Sequence, residues 1–163
     1  MTKRHAAICP IAGFLNIFGD AWSWLVVRES FYGATRFSEY QRNTGIAKNV
    51  LSDRLKKLVD AGILSKHDVG ERGSRYAYRL TEKGESLGTV LVAMVQWSND
   101  QLFEPGEEPV QLVERDSGEP LLPLTPVDRQ GRTLRWRDVI AVPGPGAPEM
   151  ERKPRSSRTD EPS

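Results

Sequence analysis

The chain has 163 residues, a formal net charge of +1 and a mean hydropathy of −0.50, which allows one core with room for a small appendage. No apolar run reaches the length of a membrane span, and residues 1–8 lack the hydrophobic stretch of a signal peptide. A single cysteine excludes an internal disulfide framework and any multi-cysteine metal site, so the expected compartment is the reducing cytoplasm.

The near-neutral total hides an asymmetry. Between positions 36 and 83, eleven lysines and arginines stand against six acids, whereas from Glu104 onward nine stand against twelve. Positive charge concentrated on one stretch of a chain is the electrostatic footprint of a nucleic-acid contact.

In chain order, Cys9-Pro10 comes first. Proline suits the first position of a helix, which puts Cys9 at the N-cap, where the helix dipole favours a thiolate and where the basic Lys3-Arg4-His5 segment could assist. The bland alternative is a small buried apolar side chain. His5 and Cys9 stand four apart, but two ligands alone rarely hold a metal, and none is expected.

A helix over 20–32 follows, with Asp20 as N-cap and apolar residues at Trp24, Leu25, Val27 and Phe31. Gly33 breaks it, a short helix spans 37–43, and Thr44-Gly45 turns into the next. From Ala47, the apolar Val50, Leu51, Leu55 and Leu58 share one side at 100° per residue, while Lys48, Asn49, Ser52, Asp53 and Lys56 share the other. Arg54 lies on the apolar side. Gly62 stands where a left-handed C-cap belongs, and Ala47 cannot accept a capping hydrogen bond. A short helix, a glycine turn and a second helix with polar residues in its N-terminal half form a helix-turn-helix unit.

Strands are expected over 63–69 and 75–80, with Tyr76 and Tyr78 on one face and a turn over 70–74 flanked by Arg72 and Arg75. A helix followed by a basic-tipped hairpin reaches two DNA surfaces at once, the major groove and the adjacent backbone or minor groove. The fold class is therefore mainly α with a β-hairpin wing, a winged helix-turn-helix. Thr81 caps one long helix over 81–103, whose stripe includes Leu87, Val90, Leu91, Met94, Trp97 and Leu102. So small a domain leaves little core for that stripe, and a partner subunit is the expected cover, with Leu87, Leu91, Met94 and Trp97 at the interface.

Ten of the eleven prolines lie beyond Phe103. They exclude long helices and place a boundary near 104–109, after which 110–115, 119–124 and 132–142 are expected as short strands of a small β appendage. From Pro145 the chain is rich in proline, serine and charge and is expected to be disordered. The expected organisation is a DNA-binding and dimerisation domain over 1–103, a β-rich extension over 104–144 and a tail over 145–163.

Taken together, Cys9-Pro10, Gly19-x-x-Trp22, Arg36-Phe37-x-x-Tyr40, Gly45-Ile46, Leu51-x-x-x-Leu55-x-x-Leu58, Gly62-Ile63 and Tyr76-x-Tyr78-x-Leu80-Thr81-x-x-Gly84 resemble the HxlR-type transcriptional regulators, a branch of the MarR-like winged-helix proteins. Singly these pieces are weak; in this order and spacing they are highly specific. The resemblance covers a little over half the chain and implies a bacterial homodimer that binds an inverted-repeat operator in double-stranded DNA. Such a protein is expected to act as a repressor, with Arg36, Lys48, Asn49, Ser52, Asp53, Lys56, Arg72 and Arg75 at the DNA. It also implies that Cys9 senses oxidants or electrophiles, as in some members. Some longer members carry cysteines suited to zinc in the extension; this chain has none there, and no cofactor is expected.

No phosphate-cradling glycine loop, HExxH or nucleophile with a nearby histidine is present, so no catalytic residue is assigned and an enzyme is not expected. Two alternatives stay open. One is a winged-helix module that binds protein rather than DNA. The other is a regulator answering to a small aromatic ligand among Trp22, Trp24, Phe31 and Trp97, although such aromatics are more often plain core.

Overall fold

The computed structural model describes residues 9–70 and 76–147. The chain divides into two compact units, Met1–Leu122 and Pro123–Ser163. In the first unit the order is α1 (Pro10–Phe18), α2 (Ala21–Phe31), α3 (Phe37–Thr44), α4 (Lys48–Asp60), β1 (Leu64–Asp68), β2 (Tyr76–Leu80), α5 (Glu82–Glu85) and α6 (Gly88–Leu102). No single helix among the described residues is long and apolar enough to cross a membrane.

Local chemistry sets most of the boundaries. Pro10 opens α1 with Cys9 at its N-cap, and Asp20 caps α2 by accepting from the Ser23 N–H at 2.9 Å. Glu39 reaches back to accept from the N–H groups of Thr35 (2.8 Å) and Arg36 (2.9 Å), closing the first turn of α3. Gly45 at φ 70° makes the turn between α3 and α4, and Gly62 at φ 69° ends α4, a conformation that a side chain would strain. Ala47 does stand at the N-cap of α4, without a side-chain cap.

β1 and β2 form an antiparallel hairpin in register Leu64↔Leu80 to Asp68↔Tyr76, with β1 a residue shorter at each end than expected and position 75 outside the described residues. The segment before α3 joins its edge: the Tyr78 N–H donates to the Thr35 carbonyl at 2.8 Å, and Arg36 bridges Ala77. The hairpin is thereby sewn to the helix-turn-helix. Val26, Val27, Tyr40, Ile46, Leu51, Leu55, Leu58, Ile63, Leu64 and Tyr78 form the core. Val27, as expected, and Val26 in place of Trp24 are the deeply buried apolar residues of α2, because Trp24 turns toward Phe14 and Phe18 of α1 at 5.5 and 4.8 Å between ring centres.

The helix expected over 81–103 is broken. Thr81 caps α5 as expected, accepting from the Gly84 N–H at 3.1 Å, but the chain then turns through Ser86 and Leu87 before α6 begins. Two tertiary contacts explain the break. Gly84 is pressed so close to the Ile63 carbonyl that a Cβ would lie 2.2 Å from its oxygen, and Leu87 swings into the core. Glycine and serine at 84, 86 and 88 offer little helix propensity to resist.

The strands expected beyond Phe103 do not form. Residues 104–147 contain two isolated bridges, Val113↔Pro120 and Val127↔Thr133, and one turn of 3-10 helix over Trp136–Asp138. The expected turns are present, with Gly118 at φ 72° and Gly131 at φ 78°. Prolines 120, 123 and 126 remove ladder donors, and almost every side chain in the stretch is exposed, so no sheet face is buried to hold a ladder. Residues 104–122 belong to the first unit, where Asn99 donates to the Val110 carbonyl (2.7 Å) and Gln96 to the Leu122 carbonyl (2.9 Å). Of the expected tail, residues 148–163 lie outside the described residues.

Candidate nucleic-acid interface

The outward face of α4 begins with what the inward face consumes. Leu51, Leu55 and Leu58 are buried, which turns Lys48, Asn49, Ser52, Asp53 and Lys56 to the surface. None of these five side chains makes a hydrogen bond or ion pair among the described residues. The other two cations of the helix are committed: Arg54 Nε lies 2.8 Å and Lys57 Nζ 3.4 Å from the Asp20 carboxylate. One helix thus carries two classes of cation, one tied to its own fold and one free to meet a phosphate or a base edge.

Asp20 binds both helices at once. Burial raises its pKa, but hydrogen bonds from the Ser23 N–H and hydroxyl and from the Arg54 guanidinium outweigh that and hold the carboxyl below its ordinary 3.8. The sequence carried one signal of the clamp, since a cation on the apolar side of an amphipathic helix needs a partner when it is partly buried.

α3 is fixed to α2 by polar contacts that periodicity does not reveal. Glu29 is buried on α2, where it accepts from Arg28 at 2.6 Å and from Asn43 of α3 at 2.8 Å. The Tyr40 hydroxyl donates to the Ala34 carbonyl at 2.7 Å and lies 2.8 Å from the Ser30 hydroxyl, and its ring meets Tyr78 edge-on. Burial pushes the Tyr40 phenol up from its usual value. Burial likewise raises Tyr78.

Arg36 is half-buried at the N-cap of α3, paired with the hairpin rather than with α4. On the wing, Lys66 sits 3.5 Å over the Tyr76 ring, a cation held on an exposed strand that the sequence reading did not single out. Arg72 and Arg75 at the wing tip lie outside the described residues, as do Lys3, Arg4 and His5.

The four residues expected at a subunit interface separate into two pairs. Leu87 is buried in the core of its own chain and Leu91 packs against that core, whereas Met94 and Trp97 are 42% and 62% exposed. Val90, Leu102 and Phe103 extend that exposed apolar surface. Cys9 is exposed. Of the four aromatics considered for a ligand, Trp24 is committed to the cluster with α1, and Trp22, Phe31 and Trp97 are exposed.

Comparison with known proteins agrees with this geometry. A family model described as HxlR-like helix-turn-helix matches residues 17–105. The HTH-type transcriptional regulator Rv3095 of Mycobacterium tuberculosis is 35% identical over 132 residues, covering 81% of this chain and 84% of that protein. The crystal structure of PA1607, a transcription-factor candidate, is similar at TM-score 0.78 and 44% identity, covering 86% of this chain and 98% of that one. The reduced form of the transcriptional regulator YodB from Bacillus subtilis is similar at TM-score 0.51 and 31% identity, covering 61% of this chain and 99% of that one. These relatives are regulators rather than enzymes, and their fold is the winged helix-turn-helix described above. The chain belongs to the HxlR-like helix-turn-helix family of DNA-binding transcriptional regulators.

Proposed function

We propose that the protein works in the cytoplasm as a homodimer that binds an inverted-repeat operator. α4 enters the major groove, where Lys48, Asn49, Ser52, Asp53 and Lys56 meet base edges and phosphates. Arg36, Arg72 and Arg75 contact the backbone beside it. The observation that carries this reading is the division of polar side chains on α4 between Arg54 and Lys57, which are spent on Asp20, and five that make no hydrogen bond or ion pair among the described residues. Repression follows where the operator overlaps a promoter, because a bound dimer excludes the polymerase.

The two protomers join through the exposed Val90, Met94, Trp97 and Leu102, with Leu91 at the edge of the contact. Cys9 is read as the point at which oxidants or electrophiles act. It is exposed at a helix N-terminus, and the similar YodB was solved in a form named as reduced. Wild-type responses to mild oxidant in Cys9→Ser would remove that part of the reading.

Selection of bound fragments from a random duplex pool identifies the operator and tests the whole. Asn49→Ala should then blur preference at one position, at a cost of roughly 1 to 3 kcal/mol. Arg72→Ala with Arg75→Ala should weaken all sequences alike and flatten the dependence of affinity on salt. No enrichment of any sequence by the intact protein would replace DNA reading with the protein-binding alternative.

A further inference from the structure

The three buried leucines that seat α4 decide which face of the helix meets the core. Apolar packing fixes a small roll about the axis less sharply than a hydrogen bond, whose strength depends on angle. The Asp20 carboxylate supplies a directional constraint. On the helical wheel, Arg54 and Lys57 fall between the buried Leu58 and the outward-facing Asp53, so a force on them acts off the axis. The anchor is fixed: Oδ1 accepts from the Ser23 N–H at 2.9 Å and from Arg54 Nε at 2.8 Å, and Oδ2 from the Ser23 hydroxyl at 2.8 Å and from Lys57 Nζ at 3.4 Å. Ser23 itself is buried. Gly19 keeps the corner tight, since a Cβ there would lie 2.5 Å from the Leu15 carbonyl oxygen.

We propose that Asp20 is a positioning residue for DNA specificity, setting through Arg54 and Lys57 the rotational phase of α4 and hence which of Lys48, Asn49, Ser52 and Lys56 meets base edges. The proposal rests on α4 being the base-reading helix. Attraction to phosphates tolerates a rolled helix, because it depends on charge and distance. Hydrogen bonds to base edges do not, because they depend on angle. Loss of the clamp therefore lowers discrimination more than affinity, and it releases two cations that strengthen binding to any sequence.

A crossed pair of variants separates positioning from capping. Asp20→Asn keeps a good N-cap and removes the charge; Asp20→Glu keeps the charge on a side chain that caps poorly. The readout is the ratio of affinity for the selected operator to affinity for a scrambled duplex of equal length at fixed salt. Asp20→Asn should lose roughly tenfold of that ratio, the scale of one spoiled base contact, with little change in melting temperature. Asp20→Glu should keep the ratio while melting earlier. Arg54→Gln combined with Lys57→Gln, which leaves the cap untouched, should match Asp20→Asn.

A wild-type ratio in Asp20→Asn overturns the proposal, and so does a ratio that tracks melting temperature across all three variants. Asn49→Ala measured alongside keeps the two readings apart. If it blurs one base while Asp20→Asn retains the wild-type ratio, only the positioning role fails. If it leaves base preference intact, the reading of α4 fails and the positioning role falls with it.

Discussion

Helices α4 and α6 are of similar length, 13 and 15 residues, and each carries an apolar stripe, yet they end in opposite situations. α4 buries Leu51, Leu55 and Leu58 completely and leaves only polar groups outside, whereas α6 buries no residue and leaves Met94, Trp97 and Leu102 in the open. The difference comes from what surrounds them. α4 is ringed by α2, α3 and the hairpin, while α6 touches its own core chiefly at Leu91, just after the buried Leu87 that precedes it, and is otherwise met by a strand-less segment pinned by Gln96 and Asn99. An apolar stripe read from a sequence therefore says that something must cover it, and only neighbouring elements say whether the cover is internal.

The contrast breaks first in stability. Leu55→Ala should cost about 2–5 kcal/mol, the range for an emptied and fully enclosed leucine site, measured by denaturant unfolding. Trp97→Ala at low protein concentration should stay within about 0.5 kcal/mol of wild type, as expected for a side chain with few contacts in its own chain. Similar costs for the two would mean that α6 is as internal as α4.

An intermediate effect is expected from acid. The folded-state pKa of Asp20 is depressed, so its contribution is present above the ordinary value of 3.8 and is lost as pH falls through the lower folded value. Wild type should therefore lose more stability than Asp20→Asn on titration below pH 3.8, by about 1 kcal/mol or less for one partly exposed cap. Parallel pH curves for the two proteins would show that the clamp adds nothing to the fold of α2 and α4.

The smallest effect on the folded chain is expected from the pair Met94→Asp and Trp97→Asp. Helical content should be unchanged, but sedimentation should show a monomer where the wild type, on the proposed reading, is a dimer. A double variant that remains dimeric places the subunit contact elsewhere and sharpens the question of what covers α6.

Features encoded within a few residues were legible in the sequence. Asp20, Gly62 and Thr81 mark helix ends because each acts on backbone groups one turn away, and the outward set on α4 follows from a 3.6-residue period. Features that need a distant partner were not legible. Asp20 meets Arg54 and Lys57 across 34 and 37 positions, and nothing local pairs them. Leu87 leaves the stripe of its helix because the core has room for it, and Gly84 is small because Ile63 presses on it. The strands expected over 110–142 had suitable composition but no face to bury, and a strand without a paired edge or a covered side has no reason to persist.

The freedom of the five outward side chains on α4 has a consequence for descent and for design. Because Lys48, Asn49, Ser52, Asp53 and Lys56 are exposed and make no hydrogen bond or ion pair among the described residues, exchanging them should carry little folding penalty, and on the proposed reading a gene copy could change its operator while keeping its fold. A library randomised at those five positions, with Asp20, Arg54 and Lys57 left alone, is the natural starting stock for retargeting this scaffold to chosen sequences.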